Sequence, residues 1–204
     1  MKLIKPSELA EQLQVCEATI HRWSRDGKLP FSPVGRQRWY NLKLVIRTLT
    51  KPAKPKTKMK RRQGDMWEDV QADAVCVTTN GIVGKGGRAI MGAGVALQAR
   101  KRYRNLPRVL GSRLSCYGNH VFLLRKREGE PCIVSLPTKE HWKDPSSLEL
   151  IDRSCRQLRN MTDDKGWKRV CVPRPGCNNG GLDWKDVRPI LRRYFDSRFV
   201  VYYL

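Results

Sequence analysis

The sequence predicts an α/β fold with a mixed sheet flanked by helices, preceded by a small α-helical module. Three observations support this prediction. After residue 63, apolar strand patterns alternate with amphipathic helix patterns, as in a sheet covered by helices on both faces. Residues 1–50 carry short helix patterns and one hairpin pattern. Between them, residues 51–63 contain seven Lys or Arg and two Pro, a composition typical of a flexible basic linker.

The first fifty residues have the pattern of a helix-turn-helix followed by a wing. PSELAEQL and EATIHRW predict two short helices, FSPVGRQRWY alternates as a hairpin would, and NLKLVIRTL predicts a third helix. In such modules the second helix enters a DNA major groove and the wing contacts phosphates. We therefore expect DNA contacts from Thr19, Arg22 and Arg25 on the second helix and from Arg36 and Arg38 in the wing.

The run EATIHRWSRDGKLPFSPVGRQRWY resembles the winged helix-turn-helix of MerR regulators and phage excisionases. The resemblance covers residues 1–50 and implies DNA binding, with a wing that contacts only protein as the alternative. Such modules usually need a second copy or a dimer to read a sequence specifically, so a homodimer is a candidate partner. An excisionase-type module also points to a phage or bacterial source.

The chain is strongly basic, with 41 Lys and Arg against 19 Asp and Glu and a net charge of +22. No acidic residue lies between Asp73 and Glu128, whereas eleven basic residues do. A stretch of this length with charges of one sign is better explained by a polyanionic partner than by a solvated face.

Cysteine and hydropathy patterns exclude other classes. The seven Cys are scattered without CxxC spacing and there are three His, so we predict no metal site and reduced thiols in a cytoplasmic protein. No apolar run approaches the ~20 residues that cross a bilayer, so we expect no membrane partner. No motif indicates a cofactor.

Two glycine-rich loops follow predicted strands. NGIVGKGGRAIMGAG comes after ADAVCVTT, and GCNNGG comes after KRVCVP, each before a helix pattern. Glycine lets a backbone approach an anion and a helix N-terminus offers free N–H groups, so two such loops predict two phosphates or one diphosphate. A P-loop is excluded because Thr79 stands where its first Gly is required. A dinucleotide fingerprint is disfavoured because the acid expected ~20 residues later is missing.

Four segments of the second module are similar to macrodomains, a family that binds ADP-ribose: GDMWEDVQADAVCVTTNG, MGAGVALQARKRY, SLPTKEHWKDPSSLELI and PRPGCNNGGLDW. We therefore predict that residues 64–204 form a macrodomain. The segments look like the branch whose members remove ADP-ribose from DNA or from proteins, some of them as antitoxins. The resemblance implies ADP-ribose or an ADP-ribosylated substrate as the ligand, and a role against toxin or phage-defence ADP-ribosylation.

The resemblance also assigns ligand contacts. Asp65 matches the acid that accepts from the adenine amino group, with Met66 beside it, and Asn80 matches the residue that contacts the distal ribose. A plain turn acid and a plain turn residue are the structural alternatives for Asp65 and Asn80. The two phosphate loops match Met91, Gly92, Ala93 and Gly94 in the first and Gly176, Cys177, Asn178, Asn179, Gly180 and Gly181 in the second.

Lys139 in LPTKEHW matches the lysine to which this branch assigns catalysis. The anomeric carbon of the distal ribose is electrophilic, and an amine can attack it, protonate the leaving group or form a Schiff base with the opened sugar. One departure is that a protein-directed member of the branch has a catalytic acid in the second loop where this sequence has Gly180. This departure favours the DNA-directed pattern. The alternative for Lys139 is one solvated lysine among many.

Three functions fit the sequence. In the first, an ADP-ribosyl hydrolase acts on a macromolecule such as DNA, and the helix-turn-helix holds it there. In the second, a DNA-binding regulator senses ADP-ribose or a related NAD-derived nucleotide without catalysis. In the third, a nucleic-acid-binding protein carries a macrodomain that has lost its ligand. The variant Lys139→Ala separates the first two, and failure to bind ADP-ribose would leave the third.

Overall fold

A computed structural model describes residues 3–49, 55 and 57–204. The first module consists of α1 (Pro6–Gln12), α2 (Glu17–Arg25), β1 (Ser32–Val34), β2 (Gln37–Trp39) and α3 (Leu42–Leu49). Buried side chains from the three helices, among them Leu9, Ile20 and Val45, pack around Tyr40. The hydroxyl groups of Tyr40 and Ser24 are 2.7 Å apart and hydrogen-bonded. The helix-turn-helix and its antiparallel hairpin, both predicted from the sequence, are therefore present.

The basic segment between the modules joins the sheet sooner than its composition indicates. Within the predicted linker, residues 51–54 and 56 lie outside the described residues. Thr57 donates a hydrogen bond to Ser197 Oγ at 3.1 Å, and Lys60–Gln63 form strand β3. All four strand residues are exposed, because an edge strand can keep charged side chains in solvent. The sheet thus begins four residues before the boundary expected at Gly64.

The second module is built on a six-stranded sheet. Its remaining strands are β4 (Ala74–Asn80), β5 (Leu123–Arg127), β6 (Glu130–Lys139), β7 (Val170–Pro173) and β8 (Phe199–Tyr203). The order is β3-β8-β7-β4-β6-β5, and each neighbouring pair is parallel except β5 with β6. The mixed, mostly parallel sheet predicted from the sequence is confirmed.

Helices cover both faces of this sheet. One face packs against α4 (Gly94–Arg102) and α5 (Leu106–Tyr117), the other against α6 (Leu148–Lys165) and α7 (Trp184–Tyr194). Strand β4 supplies both cores, with Cys76 on the α6 and α7 side and Val75 and Val77 on the opposite side. Alternate residues of a strand point to opposite faces, so a strand buried on both sides reads as a continuous apolar run.

Helix α5 is not predicted from the sequence, because Pro107, Gly111 and two arginines interrupt its apolar pattern. Proline is tolerated here since it lies in the first helical turn. Gly111 has a tertiary reason: a β-carbon on it would lie 2.0 Å from the carbonyl oxygen of Gly87. The glycine lets the loop after β4 cross the helix backbone to backbone.

Helix α6 begins one residue later than its sequence suggests. The spacing of Ser146 and Glu149 predicts a capping box. In the structure the cap is Ser147, whose Oγ accepts a hydrogen bond from the Leu150 amide at 3.2 Å. Ser146 is instead buried at the edge of the cleft described below.

Two further findings concern the described residues alone. Among them, no helix combines the length and the apolar character needed to span a bilayer. Within the same part of the chain, no group of three or more His, Cys, Asp or Glu side chains is arranged to hold a metal ion.

Candidate active site

The carboxyl ends of the parallel strands open into one deep cleft. Asn80 of β4, Lys139 of β6, Pro173 of β7 and Tyr203 of β8 all line it. Its volume is 840 Å³, which lies within the range of about 300–1,000 Å³ found for small-molecule sites. Ligands of open α/β sheets bind outside these strand ends, so the cleft lies where the glycine-rich loops predict a ligand.

The first glycine-rich loop brings the N-terminus of α4 to the cleft. Residues 92–96 line the wall, and Gly94 starts the helix with φ +51°. The first N–H groups of a helix have no intrahelical partner, so this end can bind an anion. Met91 behaves differently from the prediction. It is buried in the core beneath the loop and does not line the cleft.

The second glycine-rich loop forms another part of the wall with residues 176–180. Gly176 has φ +75°, and a β-carbon there would lie 2.7 Å from the Cδ1 of Ile151, so no other residue fits without movement. The two loops also meet, since a β-carbon on Gly94 would lie 3.2 Å from Asn179 Nδ2. Gly181 is exposed and does not line the cleft.

Lys139 lies beside the second loop. It is the last residue of β6, and its Nζ donates a hydrogen bond to the carbonyl oxygen of Asn179 at 2.9 Å. The amine therefore sits in the cleft next to the second glycine-rich loop, and a backbone carbonyl oxygen accepts a hydrogen bond from it. This placement favours the functional interpretation of Lys139 over that of a freely solvated lysine.

Asp65 and Met66 lie at the cleft wall beside Gly64 and Tyr203. One carboxylate oxygen of Asp65 accepts from the Trp67 amide at 2.9 Å, which caps a short 3₁₀ turn. The other lies 3.9 Å from Arg102 Nη2. Asp65 is thus both a turn acid and a cleft carboxylate. Its second oxygen lies near the Arg102 guanidinium and can still accept a hydrogen bond from a ligand.

Asn80 lines the cleft, but its side chain also organises the loop that follows. Its Nδ2 donates to the Ile90 carbonyl at 2.9 Å, and its Oδ1 accepts from the Ile82 amide at 3.1 Å. Nδ2 carries a second hydrogen, so one donor remains for a ligand. The turn role and the ligand role predicted for Asn80 are therefore compatible.

Gly180 cannot be replaced without moving its neighbour. A β-carbon on Gly180 would lie 2.5 Å from Ser146 Oγ, and that hydroxyl is buried at the cleft with no hydrogen-bond partner among the described residues. The Ser146 amide also donates to the Gly180 carbonyl at 2.8 Å. The loop position that carries an acid in a protein-directed macrodomain is thus closed to a side chain here.

Two large side chains of the cleft are not among the residues predicted from the sequence. Trp142 is 48% exposed at the wall, stacks on His141 at 5.7 Å between ring centroids, and has Lys143 Nζ 5.2 Å from its own ring. Arg174 lies between the rings of Trp184 and Tyr203, at 4.8 and 4.2 Å. Trp142 follows Lys139 closely in the sequence, which is the signal that could have indicated it.

A buried ion pair supports the cleft wall from below. The carboxylate of Asp69 is 2% exposed and accepts from Arg169 Nε at 2.9 and 2.8 Å and from the hydroxyl of Tyr202, a cleft residue. Burial raises the pKa of Asp69, but the hydrogen bonds from Arg169 and Tyr202 outweigh it and hold this pKa well below its usual range. The carboxylate is therefore ionised in the folded protein.

The residues predicted to contact DNA occupy different environments. Arg22 and Arg25 are exposed on α2, and Arg36 is exposed in the hairpin turn. Thr19 is half-buried, with its hydroxyl 3.2 Å from Cys16 Sγ. Arg38 stacks on Phe31 at 4.9 Å and donates to the His21 carbonyl, so it joins the hairpin to α2.

Both modules are similar to known proteins. A family model described as "Helix-turn-helix domain" matches residues 3–49. The second module is similar to the DNA ADP-ribosyl glycohydrolase of Mycobacterium tuberculosis, with 33% identity over 115 residues. That alignment covers 53% of this chain and 32% of the relative, so the chain spans about a third of that protein's length. ADP-ribose glycohydrolase OARD1 of Bos taurus is 26% identical over 147 residues, 70% of this chain and 89% of the relative.

The solved macrodomain of Mycobacterium tuberculosis DarG superimposes with a TM-score of 0.59 at 28% identity. The match covers 72% of this chain and 97% of that domain. The second module has a macrodomain fold. The resemblance noted in the sequence is thereby confirmed, as is the macrodomain-like mixed sheet preceded by a helix-turn-helix.

The cleft of the second module combines three chemical capabilities. Two glycine-rich loops and the start of α4 present N–H groups to an anion, Asp65 offers a carboxylate acceptor at one end, and Lys139 offers an amine beside the second loop. An elongated ligand with an amine donor, a diphosphate and an electrophilic sugar can contact all three.

Proposed function

We propose that this protein is an ADP-ribosyl hydrolase that removes ADP-ribose from a macromolecule, with DNA as the favoured carrier, and that its helix-turn-helix holds it on DNA. The observation that carries the proposal is the Lys139 amine, fixed 2.9 Å from the Asn179 carbonyl where the phosphate loop borders the cleft. The names of the two curated relatives, both glycohydrolases, support the same reaction class.

The geometry supports a simple division of labour. The two loops hold the diphosphate, and Asp65 accepts from the adenine amino group. The distal ribose is then presented to Lys139. The bond from the anomeric carbon to the carrier breaks with its electron pair moving to the carrier atom, which takes up a proton. One water supplies that proton and the hydroxyl that ends on the sugar. Lys139 can serve either as the proton donor or as the nucleophile that water later displaces.

A nucleic-acid carrier is favoured by Trp142. Its half-exposed ring lies at the cleft, three residues after Lys139 in the sequence, and beside the cation of Lys143. Exposed aromatic rings with neighbouring cations stack the bases of single strands and hold their phosphates. The eleven basic residues between Asp73 and Glu128, with no acid among them, add the long-range attraction that such a carrier requires.

The partners follow from the two modules. We propose that two copies of the chain bind DNA as a homodimer through their first modules. The reason is that one α2, with nine residues and with Arg22 and Arg25 exposed, offers few base contacts by itself. The described cysteines are all free, which suits a reducing cytoplasm.

Ligand binding tests the proposal at its base. In calorimetric titration of the full chain with ADP-ribose, Asp65→Ala should weaken binding by about tenfold or more, because the cleft loses its acceptor for the adenine amino group. The matched control is Asp183→Ala. Asp183 also caps a helical turn, accepting from the Lys185 amide at 2.9 Å, but does not line the cleft. Equal losses in both variants, or no binding by the wild type, would contradict the proposal.

The DNA carrier is tested separately. With an ADP-ribosylated single-stranded oligonucleotide, Trp142→Ala should raise KM about tenfold, the value of one lost base stack, and leave the affinity for free ADP-ribose unchanged. Trp142→Phe should keep KM close to that of the wild type, since a smaller ring still stacks. The assignment of DNA as the carrier fails if Trp142→Ala weakens the binding of free ADP-ribose to the same extent.

A further inference from the structure

The C-terminal end of α2 lies against the second module. The Asp26 carbonyl, directly after α2, accepts a hydrogen bond from Arg153 Nη1 of α6 at 3.2 Å. Gly27 has φ +69°, and a β-carbon on it would lie 3.1 Å from Nε2 of the buried His120 and 3.6 Å from Arg153 Nη1. The Phe31 ring also contacts the Tyr117 ring, with centroids 5.8 Å apart. The two modules therefore share a close contact.

Arg153 continues this contact into the segment that carries Lys139. Its Nη2 donates to the Asn119 carbonyl and to Glu140 Oε1, each at 3.2 Å. Asn119 Nδ2 in turn donates to the Lys139 carbonyl at 2.9 Å and to Glu140 Oε2 at 2.8 Å. The backbone of the candidate catalytic lysine is thus two hydrogen bonds away from the arginine that contacts the first module.

The same network reaches the loop after β4. The Gly81 amide donates to the Glu140 carbonyl at 3.0 Å, and a β-carbon on Gly81 would lie 3.0 Å from Asn119 Nδ2. Gly81 directly follows Asn80, so the contact also borders the proposed ribose site. A displacement of Arg153 can therefore reach both segments through this chain of hydrogen bonds.

We propose that the first module is a structural part of the active site, in which its Asp26–Gly27 turn holds Arg153 and Arg153 positions the end of β6 that bears Lys139. Arg153 is a positioning residue, since it contacts neither the cleft nor the ligand loops. The catalytic consequence rests on the function proposed above for Lys139, whereas the structural coupling does not. The helix-turn-helix then has two tasks, to hold DNA and to complete the hydrolase.

A larger side chain at Gly27 tests the structural role of the first module separately from its DNA binding. Gly27→Asn in the full chain tolerates the left-handed backbone but places a side chain against His120 and Arg153. The matched control is Gly35→Asn in the hairpin of the same module, where φ is +61° and no atom lies within 4 Å of a β-carbon. The substrate is an ADP-ribosylated oligonucleotide too short for the helix-turn-helix to bind as duplex DNA. On it, Gly27→Asn should lower kcat about fivefold to tenfold and leave KM near wild type, while Gly35→Asn should leave both constants unchanged.

Arg153 supplies the test from the other side. Arg153→Ala should lower kcat to a similar extent, and Arg153→Lys should recover part of it, because lysine keeps the charge but cannot bridge three acceptors. In the double variant Gly27→Asn with Arg153→Ala, the loss in kcat should be smaller than the product of the two single losses, because both changes disrupt the same contact. Arg193→Ala, which removes an ion pair with Asp152 outside this network, is the control for loss of one arginine.

A readout independent of catalysis keeps the two proposals distinguishable. The Gly81 amide is bonded to Glu140, and the Val121 amide is bonded to Gln157, whose Nε2 lies 2.7 Å from Nδ1 of His120. Hydrogen exchange at both amides should accelerate about tenfold in Gly27→Asn but not in Gly35→Asn. Unchanged exchange at both amides, or equal changes in the control, would overturn the coupling. If the wild type shows no turnover while exchange responds, the coupling stands and the hydrolase proposal fails.

Discussion

Lys139→Ala is expected to lower kcat for ADP-ribose release by about 10²- to 10⁴-fold, the range for a positioned proton-transfer group. The amine lies in the cleft and bonds to the Asn179 carbonyl, so its removal deletes the chemical group but leaves both phosphate loops intact. Affinity for free ADP-ribose should therefore stay close to that of the wild type. Single-turnover release from an ADP-ribosylated oligonucleotide, with parallel calorimetry, measures both quantities.

Two controls sharpen this experiment. Lys185→Ala removes an exposed lysine that pairs with Asp183 at 3.3 Å, away from the cleft, and should leave turnover unchanged. Borohydride added during turnover separates the two roles of Lys139, because reduction of a Schiff base leaves the sugar on the lysine whereas a proton donor leaves no adduct. A wild type that binds ADP-ribose but releases none from any carrier would instead support a sensor without catalysis.

The second large effect concerns stability. Asp69→Asn should lower the free energy of unfolding by about 3–5 kcal/mol, because removing one partner of a buried ion pair leaves the other uncompensated. Arg169 loses both of its Nε contacts to the carboxylate, and the Tyr202 hydroxyl loses its charged acceptor. Urea unfolding followed by tryptophan fluorescence gives the value. The exposed Asp186→Asn on α7 is the control and should change it little.

The contribution of Asp69 to the free energy of unfolding should depend on pH in a defined direction. The pKa of Asp69 is held well below that of an unfolded aspartate by Arg169 and Tyr202, against the opposing effect of burial. Its contribution is therefore present above about pH 4 and is lost as the pH falls below that value. Asp69→Asn should remove this part of the acid sensitivity. A loss below about 1 kcal/mol at neutral pH would show that Arg169 finds other partners.

Some of the site could be read from local sequence because its signals are local. Glycine pairs at strand ends indicate phosphate loops wherever the strands lie, and Lys139 falls within a recognisable segment. The structure brings these residues to one cleft, together with Asp65 and Asn80. Met91 and Gly181 belong to the same segments but not to the cleft wall, since a motif does not say which of its side chains face inward.

Other features depend on contacts between distant residues. Trp142 and Arg174 become cleft residues only once β6 and β7 lie on either side of β4. The need for glycine at position 180 comes from Ser146, and that at position 111 from the backbone of Gly87. None of these pairs has a periodic or compositional signature.

The sequence alone predicted most of the strands and helices and the chemistry of the loops, but neither α5 nor β3, because hydrophobic period and glycine placement act within a few residues. Only the tertiary structure decided that β3 extends the sheet, that Ser146 lies against Gly180, and that Asp26 and Gly27 contact Arg153 and His120. The reason is physical: packing couples residues from tens to more than a hundred positions apart, and that coupling exists only after the chain has folded.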